Sequence, residues 1–166
     1  MGEDSCRELF EGMRTRQWLG DSEALGLWLD GLSDVQGCIA DGMQRAVRAE
    51  DWLSFEQLVI AGFHHPSRLY TPVLCDVLRR RVEGVNHENG LDLLADLRDP
   101  SAVPYLEEAL EWRPPWDDYR HLAVKCVWAL AAIGTEEALA VLRRAAHSDS
   151  ERVREASVHE LERTGR

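Results

Sequence analysis

The segment from Tyr119 to His147, YRHLAVKCVWALAAIGTEEALAVLRRAAH, contains the pattern that decides the fold. Its first half places apolar residues at helical spacing between Leu122 and Leu130. Gly134 then supplies a residue suited to the left-handed conformation that ends many helices, and Thr135 supplies a cap for a second helix. Because the second half is again apolar on one side, the segment predicts two antiparallel helices joined by a very short turn.

The same unit recurs along the chain at nearly constant spacing. Leu122 and Leu130 correspond to Val153 and Leu161, an offset of 31 residues. Upstream, residues 99–110 match 135–146 at an offset of 36, and residues 71–78 match 103–110 at an offset of 32. Repeats of this length made of paired helices are typical of solenoids. We therefore predict an all-α fold, an α-solenoid of about five stacked antiparallel helix pairs.

Three stretches resemble the HEAT repeat, in the short form found in bacterial proteins related to phycobilisome lyases. They are DPSAVPYL at 99–106, ALAAIGTEEAL at 129–139 and VREA at 153–156. The resemblance suggests one domain over residues 1–166, with divergent helices in 1–50 and recognisable repeats in 51–166. It implies a stack of helix pairs that holds another macromolecule, and no chemistry by itself.

The charge balance limits the kinds of partner that we expect. The 166 residues include 30 acidic and 19 basic side chains, a net charge of −11. This balance disfavours general binding to nucleic acids or anionic membranes and suits a basic protein partner. A second interpretation is that the acidic surface only keeps the protein soluble.

The cysteines and the termini suggest a cytoplasmic protein. Cys6, Cys38, Cys75 and Cys126 lack paired spacing, so we expect small core residues in a reducing compartment, without disulfides or a zinc site. We see no leader and no apolar run long enough to span a membrane. Only one of the 19 basic residues is lysine, a bias that suggests a GC-rich bacterial genome.

No motif predicts catalysis or a cofactor. His159 and Glu160 begin like a metalloprotease helix motif, but Arg163 occupies the position of the second histidine ligand. Phosphate-binding loops, nucleophile elbows and paired-cysteine sites are missing from the sequence. We therefore expect a protein that is not an enzyme, with no cofactor, metal or catalytic residues.

The most informative connection for function is EWRPPWDDY at residues 111–119. Two adjacent prolines stiffen it and prevent the preceding helix from continuing. Rigid aromatic side chains are common anchors of protein interfaces, so we predict contacts to a partner from Trp112 and Trp116, with Asp117 and Asp118 attracting a basic partner. An equally good interpretation is that both tryptophans fold back over the helix ends.

Two helices beside this connection complete the predicted surface. In HEAT-like families the second helix of each pair usually lines the concave side, and the resemblance therefore assigns further contacts. These are Glu107, Glu108, Glu111, Arg143 and Arg144. The leading hypothesis is a non-enzymatic protein-binding scaffold or adaptor. The alternatives are an immunity protein that neutralises a basic toxin such as a nuclease, and a bilin-lyase-like enzyme.

Overall fold

A computed structural model describes residues 2–15 and 21–165, which form ten α-helices and no β-strand. The helices are α1 (Gly2–Thr15), α2 (Ser22–Leu29), α3 (Val35–Ala49), α4 (Trp52–His64), α5 (Thr71–Arg80), α6 (His87–Leu97), α7 (Val103–Leu110), α8 (His121–Ile133), α9 (Glu136–Ala145) and α10 (Glu151–Thr164). Apolar residues at helical spacing predict a first helix from Asp4 to Trp18, and Trp18 lies outside the described residues. None of the described helices is both long and apolar enough to cross a membrane.

The helices stack in two layers. The even-numbered helices α2, α4, α6, α8 and α10 pack one on the next in one layer, and the odd-numbered helices form the other. Contacts between the layers join α3 to α4, α7 to α8 and α9 to α10. One continuous apolar core runs through the stack from Leu9 to Val153. The prediction of an all-α solenoid is therefore confirmed.

The central helix pair follows the local signals in its sequence. Gly134 adopts a left-handed conformation, with φ of 66°, at the end of α8. The Thr135 hydroxyl accepts the Ala138 N–H at 3.3 Å and caps α9. Leu122 and Leu130 are completely buried in α8. The turn is short because one residue ends the first helix and the next residue caps the second.

The start of α7 differs from the prediction. In the sequence, Asp99 and Pro100 predict the N-cap and first position of one helix, in which Pro104 would cost one backbone hydrogen bond or a slight bend. Instead a single 3-10 turn, Pro100–Ala102, precedes α7, and Pro104 lies in the first turn of the new helix. The N–H groups of a first turn have no partner within the helix, so proline is tolerated there. The 3-10 turn Arg68–Tyr70 places Pro72 in the same way at the start of α5.

The interpretation of all four cysteines as free thiols was wrong for two of them. Cys6 in α1 and Cys38 in α3 form a disulfide, with Cα atoms 4.8 Å apart. They are 32 residues apart in the chain, close to the length of one repeat, so stacking within one layer brings them together. Cys75 and Cys126 are buried free thiols, and burial raises the pKa of each to about 12. Both thiols therefore stay protonated at neutral pH.

Candidate protein interface

The connection between α7 and α8 is held at its ends by Arg120. The Arg120 guanidinium donates to the carbonyl oxygens of Leu110 at 2.6 Å and Trp112 at 2.7 Å. These carbonyls lie at the C-terminal end of α7, where acceptors lack partners within the helix and a cation is favourable. Arg120 itself has a left-handed backbone, with φ of 57°, and directly precedes α8. The residue therefore joins the end of one helix to the start of the next.

Asp117 has a structural role in the same connection. Its carboxylate accepts the N–H groups of His121 at 2.7 Å and Leu122 at 3.1 Å, so it caps the N-terminus of α8. Only 7% of Asp117 is exposed, whereas Asp118 is exposed. Asp117 thus faces the protein interior, and we leave it out of the proposed contact surface. Asp118 remains available to a partner.

An ion pair fastens the middle of the connection to the next repeat. Arg113 donates to both carboxylate oxygens of Asp149, at 2.8 and 3.0 Å. The hydrogen bond from Arg113 and its charge hold the pKa of Asp149 below the usual value. Because Asp149 lies between α9 and α10, the pair links two successive connections of the stack. The segment between Trp112 and Tyr119 is thereby positioned before any partner arrives.

The two tryptophans of the connection lie in different environments. Trp112 is half-buried and packs against the core, with the His87 ring perpendicular to it at a centroid distance of 4.9 Å. The Arg81 guanidinium lies 5.9 Å from the centroid of the same indole. Trp116, in contrast, is 59% exposed. Each of the two interpretations of the sequence therefore fits one tryptophan: Trp112 covers the core, and Trp116 is presented at the surface.

A groove with a volume of about 570 Å³ separates this connection from the connection between α5 and α6. We call it the tryptophan groove. Its lining residues are Arg81, Val82, Glu83, Gly84, Val85, His87, Trp112, Pro114, Pro115 and Trp116. The groove is thus bordered by two rigid prolines and two indoles on one side and by a short loop on the other.

His87 at the inner end of the groove predicts a pH dependence of stability. Only 4% of His87 is exposed, and its Nε2 lies 2.8 Å from the Val82 carbonyl oxygen. Burial lowers the pKa of His87 below 6.5. The Val82 carbonyl and Glu56 raise this pKa, but their effects are smaller than that of burial. The unfolded chain therefore binds a proton at His87 more readily than the folded chain does.

We expect the contribution of His87 to be complete above pH 6.5 and to decline as the pH falls below this value toward the lower pKa of the folded state. The slope for one proton is at most about 1.4 kcal/mol per pH unit. Urea denaturation between pH 7.5 and 5 would measure it. In His87→Gln the loss of stability over this range should be smaller than in the wild type, and equal losses would contradict the prediction.

The other predicted contact residues lie on α7, directly after it and on α9, and the structure brings two of them together. Glu107 and Arg144 form an ion pair at 2.5 Å between neighbouring helices of the odd-numbered layer. Arg143 instead pairs with Glu136 of its own helix at 2.6 Å. Glu108 is exposed. A second groove of about 270 Å³ lies between α7, α9 and the start of α10, and Glu107, Glu111 and Arg144 are among its lining residues.

Sequence reasoning missed three residues that shape this surface. Arg81 and Arg120 adopt left-handed conformations, which nothing in their sequence context indicates. His87 stands alone in the sequence, yet its ring contacts Trp112, 25 residues further along the chain. Among residues 2–15 and 21–165, no three His, Cys, Asp or Glu side chains are grouped so that they could hold a metal ion.

Comparisons with known proteins agree with this architecture. Over 70 residues the chain is 37% identical to the deoxyhypusine hydroxylase of Drosophila melanogaster, and the match covers 42% of this chain and 22% of that protein. No solved structure gave a significant match. The family model that describes HEAT repeats matches residues 71–162, more than half of the chain. The chain therefore belongs to the HEAT-repeat family.

Proposed function

We propose that the protein is a non-enzymatic scaffold or adaptor that binds a basic protein at the tryptophan groove, with Trp116 as the central anchor. HEAT repeats suggest a protein-interaction scaffold. The observation that carries the specific proposal is the exposure of Trp116 on a connection that is fastened by Arg113, Asp117 and Arg120. A rigid anchor loses little conformational entropy when it binds, so more of its contact energy contributes to affinity.

The carboxylates around the groove favour a basic partner. Glu83 lines the groove, while Glu111 and Asp118 belong to the connection that forms its other side. All three are exposed, and none has an ion-pair partner within the described parts of the chain. Arg81, which lines the same groove as Glu83, lies over the Trp112 ring. A lysine or arginine of a partner can therefore contact the Trp116 indole and Glu83, which both line the groove, while Glu111 and Asp118 add negative charge to the adjoining connection.

A narrower form of the proposal is that the partner is a basic toxic enzyme, such as a nuclease, and that this chain is its immunity protein. The net charge of −11 supports it. This narrower form requires the protein to be bacterial and cytoplasmic. Co-expression with the product of the adjacent gene tests this form, because an immunity protein should restore growth of cells that produce the toxin. Continued growth arrest would reject it.

The enzymatic alternatives receive less support from the site. Hydroxylation of deoxyhypusine is the activity that the name gives to the Drosophila relative, of which the match covers 22%. The metal-ligand grouping that would suggest a metalloenzyme is missing from the described residues. For a bilin-lyase-like activity, the buried thiols of Cys75 and Cys126 are poorly placed to react. We propose that the chain acts by binding.

Substitution of Trp116 tests the proposed anchor. In Trp116→Ala we expect affinity for the partner to fall about 30-fold, or about 2 kcal/mol, with helical content unchanged. Trp128→Ala is the matched control, because Trp128 is 47% exposed but lies on α8, away from the groove lining. The measurement is titration calorimetry with a partner that co-purifies with the wild-type protein. Equal affinities of the wild type and Trp116→Ala would reject the anchor.

The salt dependence of affinity tests whether the acidic residues attract a basic partner. If Glu83, Glu111 and Asp118 attract the partner, affinity should decrease as NaCl is raised, because salt screens exposed charges. The variant in which all three are replaced by glutamine or asparagine should bind more weakly at low salt and show a smaller salt dependence. A salt dependence identical to that of the wild type would reject the basic partner, even if Trp116 still contributes.

A further inference from the structure

The first helix is attached to the stack by apolar contacts and by a disulfide. The structure describes the side chains of residues 6–13 in α1, and of these only Leu9 and Met13 are fully buried. In comparison, eight residues of α8 are buried. The Cys6–Cys38 disulfide is the covalent link between α1 and α3. The disulfide therefore adds a covalent link to the apolar contacts of Leu9, Phe10 and Met13.

The helix α1 covers an apolar surface of α3 and α4. Phe10 and Met13 of α1, together with Gly42 and Ala46 of α3 and Leu58 of α4, line a cavity of about 190 Å³. Gly42 permits the close approach, since a Cβ atom at this position would lie 2.5 Å from Cε1 of Phe10. If α1 moved away, these apolar groups of α3 and α4 would be exposed to water.

We propose that Cys6 and Cys38 form a reversible redox latch, which holds α1 on α3 when oxidised and lets α1 open when reduced. Exposed disulfides are reduced more readily than buried ones, and the half-buried Cys6 places one end of this bond within reach of a small thiol. Opening requires no change elsewhere in the stack, because each helix pair of a solenoid contacts mainly its neighbours. The latch thus controls exposure of the apolar surface under α1.

The exchange reaction has a defined direction of attack. Cys6 is half-buried, whereas Cys38 is 1% exposed, so the thiolate of a small dithiol reaches the Cys6 sulfur first. A mixed disulfide with Cys6 forms, and Cys38 leaves as a thiolate that takes up a proton. The second thiol of the reagent then displaces Cys6. The dithiol loses two hydrogens and becomes a disulfide, and the protein gains two thiols. Glutathione disulfide can reverse the process with the opposite balance.

Hydrogen–deuterium exchange of the full chain tests the latch. With dithiothreitol, amides of residues 6–13 should exchange at least about tenfold faster than in the oxidised protein, because local opening becomes easier. Amides of residues 122–133 in α8 should not change. Cys6→Ser and Cys38→Ser without reductant should both exchange like the reduced wild type, and the reductant should have no further effect on them. The wild-type comparison remains decisive even if a variant folds poorly.

Three results would overturn the proposal. One is an equal exchange rate of residues 6–13 in the oxidised and reduced wild type. Another is four titratable thiols in denaturant after incubation of the native protein with glutathione disulfide, where the latch predicts two. The third is unchanged fluorescence of an apolar-surface dye on reduction, where exposure of the surface under α1 predicts an increase. Trp116→Ala should leave all three readouts unchanged, which separates the latch from the proposed docking function.

Discussion

Replacement of Trp112 by alanine should destabilise the fold by about 3 kcal/mol. The indole packs against the core, contacts the edge of His87 and lies under Arg81, so its removal leaves a cavity and exposes a buried histidine. Urea denaturation followed by circular dichroism would measure the loss. We expect a lower midpoint with a similar slope, because the extent of surface exposed on unfolding changes little.

Trp116→Ala is the matched control for this prediction. The same residue type is removed from the same connection, only four residues away, but its side chain is 59% exposed. Its effect on the midpoint should therefore be much smaller than that of Trp112→Ala. The reverse order of effects, with Trp116→Ala the more destabilising, would show that the two indoles have been assigned the wrong environments.

Asp117→Ala is expected to destabilise the protein by about 2 to 3 kcal/mol. The substitution removes the acceptor of the His121 and Leu122 N–H groups at the start of α8 and leaves the buried Leu122 N–H without this partner. Unpaired buried donors and lost N-terminal caps each contribute at the scale of about 1 to 2 kcal/mol. Thermal or urea unfolding would detect the change, and Asp117→Asn should recover part of it, since its amide oxygen can still accept one bond.

Asp118→Ala provides a neighbouring control with the same chemistry. Asp118 is exposed and caps no helix, so its removal should barely change stability. It should instead weaken binding of a basic partner, whereas Asp117→Ala should act mainly on folding. If both substitutions destabilised the protein equally, the capping role of Asp117 would be contradicted.

Some features of the connection at residues 111–119 could be predicted from the sequence and others could not. That EWRPPWDDY would be a stiff connection at an edge of the stack was predictable, because prolines act on their own backbone and that of the preceding residue. The difference between Trp112 and Trp116, and between Asp117 and Asp118, was not. In a non-helical segment the direction of each side chain depends on backbone angles that have no period, and the neighbouring loop around His87 decides which indole is covered.

The order of the helices, and therefore the solenoid, follows from local signals in the sequence, since helical periodicity, Gly134 and Thr135 act through neighbouring residues. Tertiary structure alone decided the Cys6–Cys38 disulfide, the capping of α7 by Arg120 and the contact between His87 and Trp112. These contacts join segments whose separation is set by the stacking of repeats and the path of their connections. A local sequence pattern does not show which residues of different repeats will be in contact, because these contacts form only when the repeats stack.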